Sequence, residues 1–131
     1  MPAIDADAMV ALHTSTHPSH IEARRKFEAV GQVYLHPSVV TEFTTVLRRQ
    51  ANKQGLDGNA IAREALQSFM AQPRVQLSID VDHGDATLRY LANRDLSFTD
   101  AIVAEFKWSA DKQDPITFDK TVIKAAYAKP T

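Results

Sequence analysis

Four carboxylates in this sequence, Asp5, Glu42, Asp100 and Asp119, occupy positions from which they can act as one group. Asp5 and Asp119 each follow a short apolar run, Ala3-Ile4 and Ile116-Thr117-Phe118, that reads as a strand stopping at the acid. Glu42 lies early in a helix that Ser38 would cap, and Asp100 stands three residues after Ser97, where a second, very apolar helix opens. In open parallel sheets the carboxyl ends of the strands and the starts of the following helices share one edge, and ligands bind there. Taken singly, each acid has a structural explanation. Ser97 and Asp100 can form a capping box, Glu42 is favoured by the helix dipole, and Asp5 and Asp119 suit turns. Taken together, they crowd like charges in a way that cations usually make tolerable. Hard oxygen ligands of this type suit Mg²⁺ or Mn²⁺, and an ion so held can clamp a phosphate and activate water.

Positioning such a group requires alternating strands and helices. Residues 2–5 read as a short strand, with Asp7 as the cap of a helix over 8–13. Pro18 suits the first turn of a helix over 18–29 that Gly31 closes. A strand over 33–35 ends at His36-Pro37 and leads into a helix over 39–53, whose Val39, Val40, Phe43, Val46 and Leu47 recur at spacings of three and four. Asn59 starts a helix that runs through Ala71. Arg74–Ile79 alternates as a strand does, and Asp80 or Asp82 caps a helix over 83–93. Ser97 opens the apolar helix that carries Ala101-Ile102-Val103-Ala104 and extends to Ala110. The last strand is 116–118, and a further one after Lys120 is doubtful. The pattern predicts one α/β domain over 1–131, with a short, mainly parallel sheet flanked by helices.

Composition narrows the function classes. At 131 residues the chain has room for one domain with a true core. Hydrophobic residues make up 44% and charged residues 24%, which argues against disorder. There is no cysteine, so disulfides, thiol chemistry and Cys-ligated metals are excluded. Fifteen basic residues against 16 acidic ones leave a net charge of −1, which excludes a strongly basic, sequence-blind nucleic-acid binder. No apolar run reaches the roughly 18 residues of a membrane span, and the start lacks a signal-peptide pattern, so a cytoplasmic protein is expected.

Ile4-Asp5-Ala6-Asp7-Ala8-Met9-Val10-Ala11-Leu12, Pro37-Ser38-Val39-Val40-Thr41-Glu42, Leu96-Ser97-Phe98-Thr99-Asp100-Ala101-Ile102-Val103-Ala104 and Ile116-Thr117-Phe118-Asp119-Lys120 follow in order. In that order the chain resembles a PIN-domain ribonuclease, in particular a VapC-type toxin of a type II toxin–antitoxin system. Ala6 departs from the pattern, standing where the family usually carries a threonine hydroxyl. The resemblance implies a PIN-like three-layer fold. It also implies a catalytic, metal-binding quartet of Asp5, Glu42, Asp100 and Asp119 holding Mg²⁺ or Mn²⁺, with Asp7 as an accessory acid. The implied reaction is hydrolysis of an RNA phosphodiester to 5′-phosphate and 3′-hydroxyl ends. The implied partners are a cognate antitoxin protein and a second copy of the chain in a homodimer. Phe43, Leu47, Phe69 and Met70 are expected to supply surplus apolar surface for that dimer.

Other residues invite competing readings. His13, His17 and His20 suggest zinc, but Pro18 interrupts them, and capping or solvated histidines are the simpler account. Arg24-Arg25-Lys26 and Arg48-Arg49 can neutralise RNA phosphates, contact an antitoxin, or be ordinary solvated helix faces. Phe106 and Trp108 can stack on bases or pack in the core. Asp80 and Asp82 read as caps, and Glu105 lies well round its helix from Asp100. A catalytically silent PIN-like interaction module is the main alternative. A phospho-receiver domain fits poorly, because Ala6 separates Asp5 from Asp7. The metal chemistry itself does not exclude DNA as substrate.

Overall fold

The computed structural model describes residues 1–108 and 113–129. Helices α1 (Ala6–His13) and α2 (His20–Glu28) precede strand β1 (Val33–Leu35). Helices α3 (Pro37–Lys53) and α4 (Gly58–Met70) then lead to strand β2 (Val75–Leu77). Helices α5 (His83–Ala92), α6 (Phe98–Phe106) and α7 (Lys120–Tyr127) complete the order. β1 and β2 pair in parallel, with Val33 opposite Val75 and Leu35 opposite Leu77. On the other side of β1, Ala3 bridges Tyr34 and Ile4 bridges Ile116, again in parallel. The sheet therefore runs β2, β1, residues 3–4, residue 116, and the α/β expectation holds.

The strands are shorter than the sequence patterns predict. Residues 2–5 contribute two bridges, and 116–118 contributes one, at Ile116. Of Arg74–Ile79 only Val75–Leu77 pairs, and Ile79 is 68% exposed beyond the sheet's edge. Polar punctuation sets these lengths. The chain turns from the Ile4 bridge straight into α1, so Asp5 rather than Asp7 is the cap, in extended conformation at φ −93° and ψ 170°. Likewise His36 caps α3 through Nδ1, which accepts the Ser38 amide at 3.1 Å. Pro37 takes the first helical position, where its missing N–H costs nothing. Ser38 is thus inside the helix, and Glu42 falls in its second turn. α2 starts two residues after Pro18, at His20. α4 starts at Gly58 behind the Asp57 cap, and α5 behind the Asp82 cap. After Lys120 the chain forms α7, not a strand. Ser109 and Ala110, assigned to the apolar helix from sequence, lie outside the described residues.

The helices pack in two groups, α1 to α4 with one another and α5 to α7 with one another. Every residue of α6 from Ala101 to Phe106 is buried, as is the stripe Val39, Phe43, Leu47 and Ala51 on α3. Phe43, Leu47 and Phe69, expected as surplus surface, are core residues, and of that set only Met70 is exposed. Each such buried side chain contributes roughly 1.5–3 kcal/mol, so their apolar area is spent inside the domain. Two glycines shape the α3–α4 hairpin. Gly55 takes a positive φ of 76°, and a Cβ on Gly58 would lie 2.4 Å from the Arg48 carbonyl oxygen, so only glycine lets the helices approach this closely.

Candidate functional site

Asp5 is 2% exposed. As the α1 cap it accepts the Ala8 amide on Oδ1 at 2.8 Å, and its Oδ2 accepts the Thr117 hydroxyl. The Thr117 oxygen accepts the Asp119 amide at 3.1 Å, and Asp119 Oδ1 caps α7 by accepting the Thr121 amide at 2.8 Å. One hydrogen-bonded chain thus runs from the start of α7 to the start of α1. Asp100 sits in the first turn of α6, with its amide on Ser97 Oγ at 3.1 Å, as the capping box predicts. Glu42 is half-buried on α3.

These acids share one electrostatic neighbourhood. Burial pushes the Asp5 carboxyl up to about 7; the bonds from Thr117 and Ala8 pull it down, and the charges of Asp7 and Asp100 push it further up. Glu42 is raised by burial first and then by Asp100 and Asp7. Asp100 is raised by burial first, against the Ser97 bond, and then by Asp119 and Asp7. Each of Asp5, Asp7, Glu42, Asp100 and Asp119 thus lies within repelling range of at least one other, with Asp100 facing all four. Among the described residues, though, no three His, Asp or Glu side chains stand as a ready-made metal cage. Both Asp5 oxygens already accept one protein donor, which leaves a lone pair on each. The donor set fits a hard divalent cation in chemistry, since all the groups are carboxylates, and Asp5, Glu42 and Asp100 are raised by desolvation and by acidic neighbours, which a cation relieves.

Thr117 is the site residue that sequence reasoning missed. It lies two residues before Asp119, and Ala6, beside Asp5, has no hydroxyl to offer. Histidines take no part in the acid cluster. His13 Nδ1 bonds to the Met9 carbonyl at 2.8 Å and His20 Nδ1 to the Ala11 carbonyl at 2.7 Å, while His17 Nδ1 accepts the Ser19 amide. His13 and His20 line one cavity, and His17 does not line it. His36 is buried against His83 and Phe106, and burial and then His83 lower its pKa, favouring the neutral ring.

The remaining candidates are structural. Asp82 Oδ1 accepts the Asp85 amide at 3.0 Å, as a cap does. Phe106 is buried and stacks on Tyr34 at 5.1 Å, so it offers no free face to a base, whereas the Trp108 indole donates to the Ala126 carbonyl at 2.9 Å and stays 40% exposed. Glu105 is buried and accepts Arg89 Nε at 2.9 Å. The same Arg89 guanidinium donates through Nη1 to the Ala125 and Ala128 carbonyls at the end of α7.

Residues 3–126 match the family model described as PIN domain. Among solved structures, the fold is similar to the crystal structure of Mycobacterium tuberculosis VapC20, described as a sarcin–ricin loop cleaving toxin. The TM-score is 0.76 at 19% identity, covering 98% of this chain and 97% of that one. No curated protein sequence matches.

Proposed function

The chain belongs to the PIN domain family, and from that premise we propose that it is a metal-dependent endoribonuclease, the toxin of a toxin–antitoxin pair. The observation that carries this reading is the group of carboxylates at the sheet's edge, of which Asp5, Glu42 and Asp100 are raised by burial and by acidic neighbours, Asp5 to about 7. A fold built for stability alone gains nothing from such a group. The similar VapC20 is described as a sarcin–ricin loop cleaving toxin, which supports RNA as the substrate class proposed for this chain.

In this reading Asp5, Glu42, Asp100 and Asp119 hold Mg²⁺ or Mn²⁺. When bound, the ion supplies positive charge to the phosphate and makes water a better nucleophile. The chain's own residues do the positioning. The Ala8 amide and Thr117 hydroxyl fix the Asp5 carboxylate in one orientation. Ser97 fixes the first turn from which Asp100 projects, and Thr117, through the Asp119 amide, ties the start of α7 to Asp5. Asp7, exposed in the first turn of α1, adds negative charge that draws a cation to the edge.

The test is cleavage of RNA oligonucleotides by the purified protein with Mg²⁺, with Mn²⁺ and with chelator. Cleavage should need the ion, and Asp5→Asn and Asp100→Asn should each lower it at least about a hundredfold, roughly 2.7 kcal/mol of barrier. Unchanged cleavage in both variants removes the site. A silent PIN-like interaction module is the second reading, favoured by the lack of a ready three-ligand arrangement among the described residues. Absence of cleavage by the wild-type chain with either ion selects it. The antitoxin partner, the homodimer and a cytoplasmic setting belong to this proposal by family resemblance. No described helix is long and apolar enough to cross a membrane.

A further inference from the structure

The basic residues of this chain divide into those whose charge is answered and those whose charge is not. On α2, Arg24 lies 3.4 Å from Glu28 and Arg25 lies 2.5 Å from Glu22, each pair on one helix face. Arg89 is answered by Glu105, and Lys107 by Asp114. Arg48 on α3 and Arg63 on α4 have no ion-pair partner among the described residues. Both line a groove of about 340 Å³ between the two helices, together with Asn59, Thr44 and Thr45, and no acid lines it.

The groove is built to present those guanidinium groups. The close approach at Gly58, whose amide donates to Asn52 Oδ1 at 3.0 Å, fixes α4 against the Arg48 turn of α3. The threonine hydroxyls already donate to α3 carbonyls, Thr44 to Val40 at 2.9 Å and Thr45 to Thr41 at 2.8 Å. The strong free donors left are therefore the two guanidinium groups and the Asn59 amide, a set that suits phosphate oxygens. Thr45, which lines the groove, follows Glu42 by three residues and so stands near its side of α3, and Arg48 lies about 9 Å further along the helix axis than Glu42, roughly a third of a turn round from it.

We propose that the α3–α4 groove binds backbone phosphates of the RNA strand whose reacting bond lies over the acidic edge, with Arg48 and Arg63 as the phosphate ligands. This rests on the ribonuclease reading and adds the path of the substrate to it. The strand leaves the carboxylates along α3, and the Arg24–Arg25 surface of α2, already neutralised by its own glutamates, takes no part. The contacts are to phosphates and carry no base selectivity.

The experiment reads binding apart from cleavage. A fluorescein-labelled single-stranded RNA oligonucleotide is titrated in chelator against wild type, R48A/R63A and R24A/R25A, from about 50 mM to about 200 mM salt. All four positions are exposed, so the folded state is kept. Two single-strand phosphate contacts contribute about 1.4 to the log–log salt slope, so wild type should lose about sevenfold more affinity than R48A/R63A over that range. R24A/R25A should keep the wild-type slope. With Mg²⁺, R48A/R63A should raise KM on the long RNA and leave kcat unchanged. An unchanged slope in R48A/R63A, or a loss confined to R24A/R25A, overturns the groove while wild-type cleavage still stands. Absence of RNA binding by wild type overturns it as well, and absence of wild-type cleavage removes the ribonuclease reading beneath it.

Discussion

Arg89 and Asp5 are buried to the same degree, 4% and 2% exposed, and the fold treats their charges in opposite ways. Arg89 meets Glu105 and two carbonyls at the end of α7, so its charge is matched inside the protein and ties α5, α6 and α7 together. Asp5 meets an amide and a hydroxyl, and its nearest charges, Asp7 and Asp100, repel it. Where this chain needs a buried charge for architecture it supplies the counter-charge itself. At the sheet's edge it withholds one, and a cation from solution fits that deficit.

Breaking the matched pair should have the largest effect. Arg89→Met leaves Glu105 buried without its guanidinium, and the loss should be about 3–5 kcal/mol, read as a lower urea midpoint. Replacing both partners, Arg89→Met with Glu105→Leu, should recover most of it, because an apolar pair of similar volume leaves no buried charge. A double variant as unstable as the single one would show that the α7 carbonyls, not the ion pair, dominate.

The unmatched site should respond to pH instead. The Asp5 carboxyl titrates near 7 when folded, against about 3.9 in an unfolded chain. The folded protein therefore holds a proton that the unfolded chain releases between about pH 4 and about pH 7. Metal-free stability should fall as pH rises through that window, by up to about 1.4 kcal/mol per unit. Glu42 and Asp100, also raised, add in the same direction. Denaturation curves across the window should show this slope. Asp5→Asn should flatten it, and Mg²⁺ should restore stability at the alkaline end. A slope that Asp5→Asn leaves intact would place the titration elsewhere.

Thr117→Val should have the smallest effect. It removes one hydroxyl donor, costing about 1 kcal/mol, and should raise the Asp5 pKa and move the pH slope to higher pH. An unmoved slope would mean that the Thr117 bond does not hold the carboxylate down.

The two regions also differed in how far the sequence reveals them. Asp100 was readable because Ser97, its cap, and the apolar run of α6 lie in one stretch of chain. Asp5 was readable as an acid at a strand's end but not as a cap, since Asp7 offered the same local chemistry and only the short bridge at Ile4 decides between them. The Thr117–Asp5 bond joins residues 112 apart, and no local pattern announces it. Phe43, Leu47 and Phe69 read as spare surface in the sequence and are core in the structure, because helical periodicity marks an apolar face without saying how many neighbours cover it. Here α3 packs against both α1 and α4. Arg89 and Glu105 are 16 residues apart on different helices, and charge in an amphipathic helix reads as solvated until the partner is seen.

The 112-residue separation between Asp5 and Thr117 also sets a clock. During synthesis Asp5 is made well before Thr117, and the strand segment at Ile4 waits for Ile116 to bridge it. At about 5–20 residues per second the interval is on the order of ten seconds. From residue 42 onward the nascent chain has Asp5 and Glu42 but neither the hydroxyl that orients Asp5 nor the Asp119 carboxylate. A chain halted before residue 117 lacks the closing side of the acidic edge, so the group assembles only after Thr117 and Asp119 have been added.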